Sequence, residues 1–205
     1  MTEEKRLRLF VAVELPDEWK HALAREATAL DQAAPGFGRW VDPSLMHLTL
    51  VFLGGQDPAL LPTIRNAVDA AATATRPFSL SLDQTGTFGS RRAIRAVWVG
   101  VRDEPPESLG ILRQALVRGL LTATVPFEAE IGPFRAHLTL GRTRREATAE
   151  MSLRMSASVG DRQAQRARPW PASFPCEGIT LVKSDVRPTG PIYTPLHRAA
   201  LLGGR

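Results

Sequence analysis

The sequence has almost none of the residues that form disulfides or thiolate metal centres. Cys176 is the single cysteine among 205 residues, so neither an intramolecular disulfide nor a metal site built from several thiolates can form. No stretch approaches the roughly 18 consecutive apolar residues that a membrane-spanning helix needs. Residues 1–16 carry acids around one short apolar run, unlike a secretion signal. We therefore expect a soluble, cytoplasmic protein that does not associate with membranes.

Lysine is also scarce, and arginine supplies nearly all of the positive charge. The chain has 26 Lys and Arg against 21 Asp and Glu, a formal net charge of +5, and only 3 of these cations are lysines. Guanidinium groups match the geometry of phosphate oxygens, which suits a nucleic-acid substrate. Since Ala, Gly and Pro are abundant too, a GC-rich coding sequence explains the same composition. The total charge does not separate these two interpretations.

The order of predicted elements is repeated in the two halves of the chain. Each half is predicted to contain a strand, a helix, a strand with the tetrapeptide HLTL, a helix and a last strand. The predicted elements are 7–15, 18–30, 45–53, 60–74 and 78–82, then 95–101, 104–121, 134–142, 146–156 and 178–184, with 192–196 as a hairpin partner. We expect an α+β fold in which a duplicated β/α unit, with repeats at about 6–90 and 93–200, forms one bilobal, pseudo-twofold domain over 1–205. Antiparallel sheets would flank a central cleft.

Glycine and proline place the predicted turns. Gly54 and Gly55 are predicted to end the first HLTL strand. The segment GTFG at 86–89 lacks the Lys–Ser/Thr ending and the following helix of a phosphate loop, so it is interpreted as a hairpin turn. Residues 161–173, rich in arginine and proline, are predicted to form a loop without a recognisable motif.

Two of the four histidines occur in identical tetrapeptides, His47–Leu50 and His137–Leu140, at matching places in the two repeats. Side chains alternate between the faces of a strand, so His and Thr of each motif share one face while the two leucines share the other. If the lobes pack about a pseudo-twofold axis, the two His/Thr pairs confront each other across the cleft.

This arrangement suits phosphodiester cleavage. In-line displacement at phosphorus needs a proton acceptor on one side and a proton donor on the other, and histidine serves as either near neutral pH. The hydroxyls of Thr49 and Thr139 can donate to phosphoryl oxygens, and Arg142, at the end of the second motif's strand, can neutralise the phosphate. The scheme needs no metal ion. We expect no metal site, because HExxH and CxxC are both missing and the two histidines lack a third ligand.

These motifs resemble those of the two-histidine (2H) phosphoesterases, and within them the RNA 2′,3′-cyclic phosphodiesterases, also called the 2′-5′ RNA ligase family. The resemblance extends over nearly the whole chain, through RLFVAVELP at 8–16, RWVDPSLMHLTLVFLG at 39–54, FRAHLTLGR at 134–142 and ITLVKSDVRPTGPIYTPL at 179–196. One departure is Ala136, where many relatives have proline before the second histidine.

The resemblance implies hydrolysis of a terminal 2′,3′-cyclic phosphate on RNA to a 2′-phosphate, without a cofactor and with possible reversal into 2′-5′ ligation. It implies that His47 donates a proton to the leaving 3′ oxygen and that His137 accepts one from water. Thr49 and Thr139 would hold the phosphoryl oxygens, and Arg142 matches the family's arginine after the second motif. The expected partners are RNA ends, and a self-contained two-lobed fold predicts a monomer.

Two other functions use the same residues. A 2H hydrolase acting on 2′-5′ oligonucleotides or small cyclic nucleotides needs the same four side chains. A basic protein that binds RNA ends without turnover is the third hypothesis, although binding alone has no use for two opposed proton carriers.

Several further residues have two interpretations each. One interpretation of Trp40, Phe52 and Phe134 is that they stack on the terminal base of the RNA, and the other is that they belong to the hydrophobic core. Five arginines either contact an RNA backbone from the rim of the cleft or are surface residues in contact with water only: Arg39, Arg91, Arg92, Arg144 and Arg145. Tyr193 faces the cleft or closes a hairpin. Cys176 has no histidine motif around it, so we do not expect a catalytic thiol.

Overall fold

The computed structural model describes residues 6–128, 134–164, 170–188 and 190–203, and helices alternate with strands in the predicted order. The strands in these ranges are β1 Leu7–Glu14, β2 Gly38–Trp40, β3 His47–Gln56, β4 Phe78–Ser90, β5 Ala93–Glu104, β6 His137–Thr143, β7 Phe174–Cys176, β8 Gly178–Arg187 and β9 Gly190–Ala200. The helices are α1 Asp17–Ala33, α2 Leu61–Ala74, α3 Ser108–Thr122 and α4 Ala149–Ala164.

The strands form two antiparallel sheets, which confirms the α+β, two-lobed fold. The first sheet has the order β3-β1-β8-β9, and the second has the order β2-β6-β5-β4-β7. Helices α2 and α3 pack on each other and on the first sheet, while α1 and α4 pack on each other and on the second sheet. Each HLTL strand thus belongs to a different lobe.

The lobes do not coincide with the two halves of the sequence. Strand β1 lies in the first sheet, but α1, which follows it, packs on the second. Strand β4, at the end of the first predicted repeat, is also in the second sheet, whereas the last hairpin, β8–β9, completes the first. The repeats at about 6–90 and 93–200 remain a prediction about sequence, and each lobe takes elements from both.

Helix α1 connects the N-terminal part of the chain to β4, to Arg162 and to Ala172. Its apolar positions are buried, and the indole Nε1 of Trp19 donates to the carbonyl of Ala172 at 3.0 Å. On the same helix Glu26 is buried, and its carboxylate pairs with the guanidinium of Arg162 in α4 at 2.5 Å. The Thr85 hydroxyl of β4 donates to the same carboxylate at 2.9 Å. A buried charge needs such partners, so these contacts fix α1 against α4 and β4.

Some predicted boundaries are wrong. Strand β3 continues through Gly54 and Gly55 to Gln56, because these residues pair with β1. Gly54 adopts a φ of +68° within the strand. Helix α4 extends to Ala164, so residues 161–164 of the predicted loop are helical, while residues 165–169 of that loop lie outside the described residues. Strand β6 begins at His137 and not at Phe134.

The segment GTFG is not a hairpin turn. Residues 86–89 lie within β4 and pair with β5, and the turn follows at Arg91 and Arg92. The glycine at 86 is required by packing, since a Cβ there would lie 2.4 Å from the Trp98 ring. No helix in the described part of the chain is both long and apolar enough to cross a membrane.

Candidate active site

The two HLTL strands bring their polar side chains to one cavity. In both motifs the leucines are buried while the histidine and threonine remain partly exposed, as the alternation predicts. A cavity of about 240 Å³ lies between the lobes. It is lined by all five predicted residues, His47, Thr49, His137, Thr139 and Arg142, and by Arg8, Phe10, Val41, Leu45, Met46, Phe52, Ser184 and Tyr193. We call it the central cavity.

A β-bulge at the same place in each motif shapes this cavity. Against β1, Val51 pairs with Val11 and Thr49 pairs with Ala12, so Leu50 has no partner in the register. Leu140 likewise has no partner in the register between β6 and β5. One extra residue reverses the alternation of faces beyond it. The bulges therefore turn the residue five positions after each histidine, Phe52 in β3 and Arg142 in β6, toward the cavity.

Both histidines are held in the same orientation by their own backbone. The Nδ1 atom of His47 lies 2.8 Å from the Leu45 carbonyl oxygen, and Nδ1 of His137 lies 2.8 Å from that of Arg135. Since a carbonyl can only accept, Nδ1 carries the hydrogen in each neutral ring. This leaves Nε2 of both rings as the atom that gains or gives a proton.

The surroundings of the two rings differ. His47 stacks on Phe10, with ring centroids 4.6 Å apart, and the Tyr193 ring meets it edge-on at 5.2 Å. Burial lowers the pKa of His47, although its hydrogen bond to the Leu45 carbonyl opposes the shift. His137 instead contacts the ring of Phe88 edge-on at 4.9 Å.

Two guanidinium groups give the cavity a positive potential. Arg142 comes from the second sheet and Arg8 from the first, where the Arg8 guanidinium lies 4.5 Å from the centroid of the Phe52 ring. Burial raises the pKa of the Tyr193 hydroxyl, and the charges of Arg8 and Arg142 act against that shift. The phenol therefore lies within the field of both cations, so a bound phosphate would meet positive charge from both lobes.

Of the other candidate residues, two line the central cavity and three do not. Tyr193 and Phe52 face the central cavity. Trp40 packs against the core and donates from Nε1 to the Asp31 carboxylate at 2.8 Å, and Phe134 lies under the Arg113 guanidinium at 4.9 Å, so neither lines the cavity. Cys176 is buried, which raises the pKa of its thiol to about 11 and leaves no thiolate for catalysis.

The remaining histidines lie elsewhere. His21 is exposed on α1, and Nε2 of His197 pairs with the Asp69 carboxylate at 2.6 Å. Within the described residues there is no group of three His, Cys, Asp or Glu side chains able to hold a metal ion.

The sequence motifs did not indicate six residues that line the cavity, which are Arg8, Phe10, Val41, Leu45, Met46 and Ser184. A signal was present in β1, because Arg8 and Phe10 occupy alternate positions and so share a face. The face that β1 turns toward the cavity depends on its pairing with β3 and β8, which the alternation alone does not give.

Comparison with known proteins identifies the family. The family model described as the 2′-5′ RNA ligase superfamily matches residues 16–188. The chain belongs to this superfamily. The sequence resemblance to 2H phosphoesterases is thereby confirmed.

Individual relatives agree with this membership. An RNA 2′,3′-cyclic phosphodiesterase from Thermus thermophilus is 32% identical over 96% of this chain and 91% of the relative. Another from Geobacillus stearothermophilus is 36% identical over 67% of this chain, and the match spans only 42% of that longer relative. The crystal structure of TT0787, also from Thermus thermophilus, superposes with a TM-score of 0.73 and 29% identity, covering 97% of this chain and 100% of TT0787.

Proposed function

We propose that this protein hydrolyses the 2′,3′-cyclic phosphate at the end of an RNA to a 2′-phosphate, by paired histidines and without a metal ion. The observation that supports this most strongly is the pair of His/Thr sets, one from each lobe, on a single cavity. Two relatives, one matched over 96% of this chain and the other over 67%, are named RNA 2′,3′-cyclic phosphodiesterase, which supports the choice of substrate.

The roles of the two histidines are those that the family resemblance implies, and the orientation of the rings leaves Nε2 of each free for its proton transfer. Nε2 of His137 takes a proton from water, the water oxygen bonds to phosphorus, and the bond from phosphorus to O3′ breaks. Nε2 of His47 gives its proton to O3′, which becomes the free hydroxyl. A lowered pKa makes the His47 imidazolium a stronger acid, and a bound anionic phosphate favours this charged form.

The phosphate is held by donors from both lobes. Thr49 and Thr139 donate from their hydroxyls to the non-bridging oxygens, on which charge increases in the transition state. Arg142 adds a guanidinium fork, and Arg8 provides a second positive charge across the cavity. The Phe52 ring, 39% exposed on the cavity wall, offers a stacking surface for the terminal base.

The test is hydrolysis of a short RNA that ends in a 2′,3′-cyclic phosphate, with EDTA present and the product identified by phosphorus NMR. We expect a 2′-phosphate. His47→Ala and His137→Ala should each lower kcat by about 10²-fold or more, as expected when an acid–base group is lost. His21→Ala is the matched control, since His21 is exposed on α1 and outside the cavity. A 3′-phosphate product, or turnover that stops in EDTA, would contradict the proposal.

The same assay separates the alternatives. A protein specific for 2′-5′ oligonucleotides or small cyclic nucleotides would turn those over and leave the RNA end intact. A protein that only binds RNA ends would show no turnover, and His137→Ala would keep its affinity. Ligation is the same displacement with a 5′ hydroxyl in place of water: the P–O5′ bond forms, the P–O3′ bond breaks, and a 2′-5′-linked product is detected when RNA with a free 5′ hydroxyl is in excess.

A further inference from the structure

The cleft face of the second sheet extends beyond the central cavity as a row of paired residues. Arg39 in β2 pairs with Arg142 in β6, Arg142 pairs with Ala96 in β5, and Ala96 pairs with Phe88 in β4. Directly paired residues on neighbouring antiparallel strands point to the same face. Since Arg142 lines the cavity, Arg39 and Phe88 lie on the cleft side as well.

Phe88 belongs to an aromatic surface beside His137. The Trp98 ring lies 5.4 Å from the Phe88 ring, and both side chains are partly exposed. Trp98 pairs with Thr139 on one side and with Gly86 on the other, and its ring packs against Gly86. Aromatic rings exposed beside a reacting phosphate are stacking surfaces for nucleobases.

The turn next to Phe88 is strongly basic. Arg91, Arg92 and Arg95 are exposed on the β4–β5 hairpin, and none of them pairs with a carboxylate among the described residues. No acidic residue lies between Asp83 and Asp103. An RNA backbone would therefore meet unneutralised positive charge at this end of the cleft.

The opposite end of the cleft is different. A second cavity of about 240 Å³ lies beyond His47, but its cations already have partners. Lys20 pairs with Asp17 at 3.2 Å, and Arg198 pairs with Glu14 at 3.1 Å. Glu14 itself lines that cavity and would repel a phosphate. Charge thus favours an RNA strand that leaves the cleft over the second sheet.

We propose that Phe88 and Trp98 bind the base of the nucleotide that precedes the cyclic end, and that the arginines of the β4–β5 hairpin bind the phosphates on its 5′ side. This rests on the proposed function, because it assumes that the cyclic phosphate occupies the central cavity. It makes single-stranded RNA of two or more nucleotides a better substrate than a nucleoside 2′,3′-cyclic phosphate. The terminal base remains on the Phe52 side of the cavity.

The experiment compares kcat/KM for a nucleoside 2′,3′-cyclic phosphate, a dinucleotide and a ten-nucleotide RNA with the same cyclic end. We expect the wild-type protein to prefer the dinucleotide over the mononucleotide by about tenfold, which is the size of one base–aromatic stack. Phe88→Leu should remove most of this preference, and Phe88→Tyr should restore it. The double variant Arg91→Ala/Arg92→Ala should lower kcat/KM for the ten-nucleotide RNA. It should also reduce the slope of log kcat/KM against log salt concentration by about 1.4, because each phosphate contact on a single strand contributes about 0.7 to that slope.

Arg25→Ala/Arg118→Ala is the matched control. It removes the same charge from exposed positions on α1 and α3, and it should leave the salt slope and the length preference unchanged. Equal kcat/KM for mononucleotide and dinucleotide would overturn the proposal, as would a Phe88→Leu effect of equal size on both. Those outcomes leave the proposed hydrolysis intact, whereas no turnover of any cyclic end by the wild-type protein would defeat both.

Discussion

The imidazole of His47 lies against the phenyl ring of Phe10, with the two planes inclined by 26°. The ring planes at His137 are arranged differently, since Phe88 meets that histidine at 87°. Two identical tetrapeptides therefore place their histidines in different environments. The difference comes from the strands beside them, because β1 supplies Phe10 and β4 supplies Phe88.

The contact between Phe10 and His47 leads to a prediction about the pKa of His47. Because burial lowers its pKa, His47 should titrate below the ordinary value of 6.5 in the free protein. Phe10→Leu leaves a smaller, non-planar side chain, admits water to the ring and should raise the pKa toward 6.5. Proton NMR of the imidazole across pH measures this. Phe88→Leu, which changes the partner of His137, should leave the His47 pKa where it is, and an equal shift in both variants would argue against the contact as the cause.

The same shift predicts a pH dependence of stability. The unfolded chain binds a proton at His47 near pH 6.5, whereas the folded protein binds it only at lower pH. The neutral ring is thus favoured by folding, and this contribution is fully present above 6.5 and is lost as pH falls through the folded pKa. Urea unfolding of wild type and His47→Gln should show free energies of unfolding whose difference changes across that window. A difference that stays constant with pH would contradict the lowered pKa.

Arg142 is predicted to act on the transition state. Arg142→Ala should lower kcat/KM for a nucleoside 2′,3′-cyclic phosphate by about 10²-fold, comparable with the loss of an oxyanion donor. Arg142→Lys keeps the positive charge but loses the paired donors of the guanidinium group, so its kcat/KM should lie between those of wild type and Arg142→Ala. Steady-state kinetics on this small substrate excludes effects of RNA length. Arg25→Ala is the control, and a kcat/KM for Arg142→Ala equal to that of the control would remove Arg142 from the mechanism.

Gly86 is predicted to be required for the packing of Trp98 beside Thr139. Gly86→Ala puts a Cβ 2.4 Å from the Trp98 ring, so the ring or the strand must shift, and the free energy of unfolding should fall by about 1–3 kcal/mol. Gly110→Ala in α3 meets no atom within 4 Å and should raise it by about 0.5–1 kcal/mol through helix propensity. Thermal unfolding of both variants measures the contrast. Equal stability of the two would show that Trp98 has room to move.

The predicted elements succeeded where local patterns were strong. Helix α2 at 61–74 and the buried leucines of both motifs follow directly from apolar spacing. Boundaries failed at two glycines. Gly54 reads as a strand end and Gly86 as a turn, but both lie inside strands. Gly54 has a positive φ of +68° within β3, and Gly86 leaves room for the ring of Trp98, which comes from the neighbouring strand.

The order of helices and strands, the doubled His/Thr motif and the family resemblance can all be predicted from the amino-acid sequence, because they depend on residues that are close together in the chain. The grouping of strands into sheets and the choice of side chains that reach the cavity depend on tertiary packing. The bulges at Leu50 and Leu140 turn Phe52 and Arg142 inward. The pairing of β1 with β3 and β8 places Phe10 against His47 and Arg8 on the cavity wall. Register between distant strands is set by which face of each strand is buried against the helices, and strands that are far apart in the chain must satisfy this together, which no local pattern specifies.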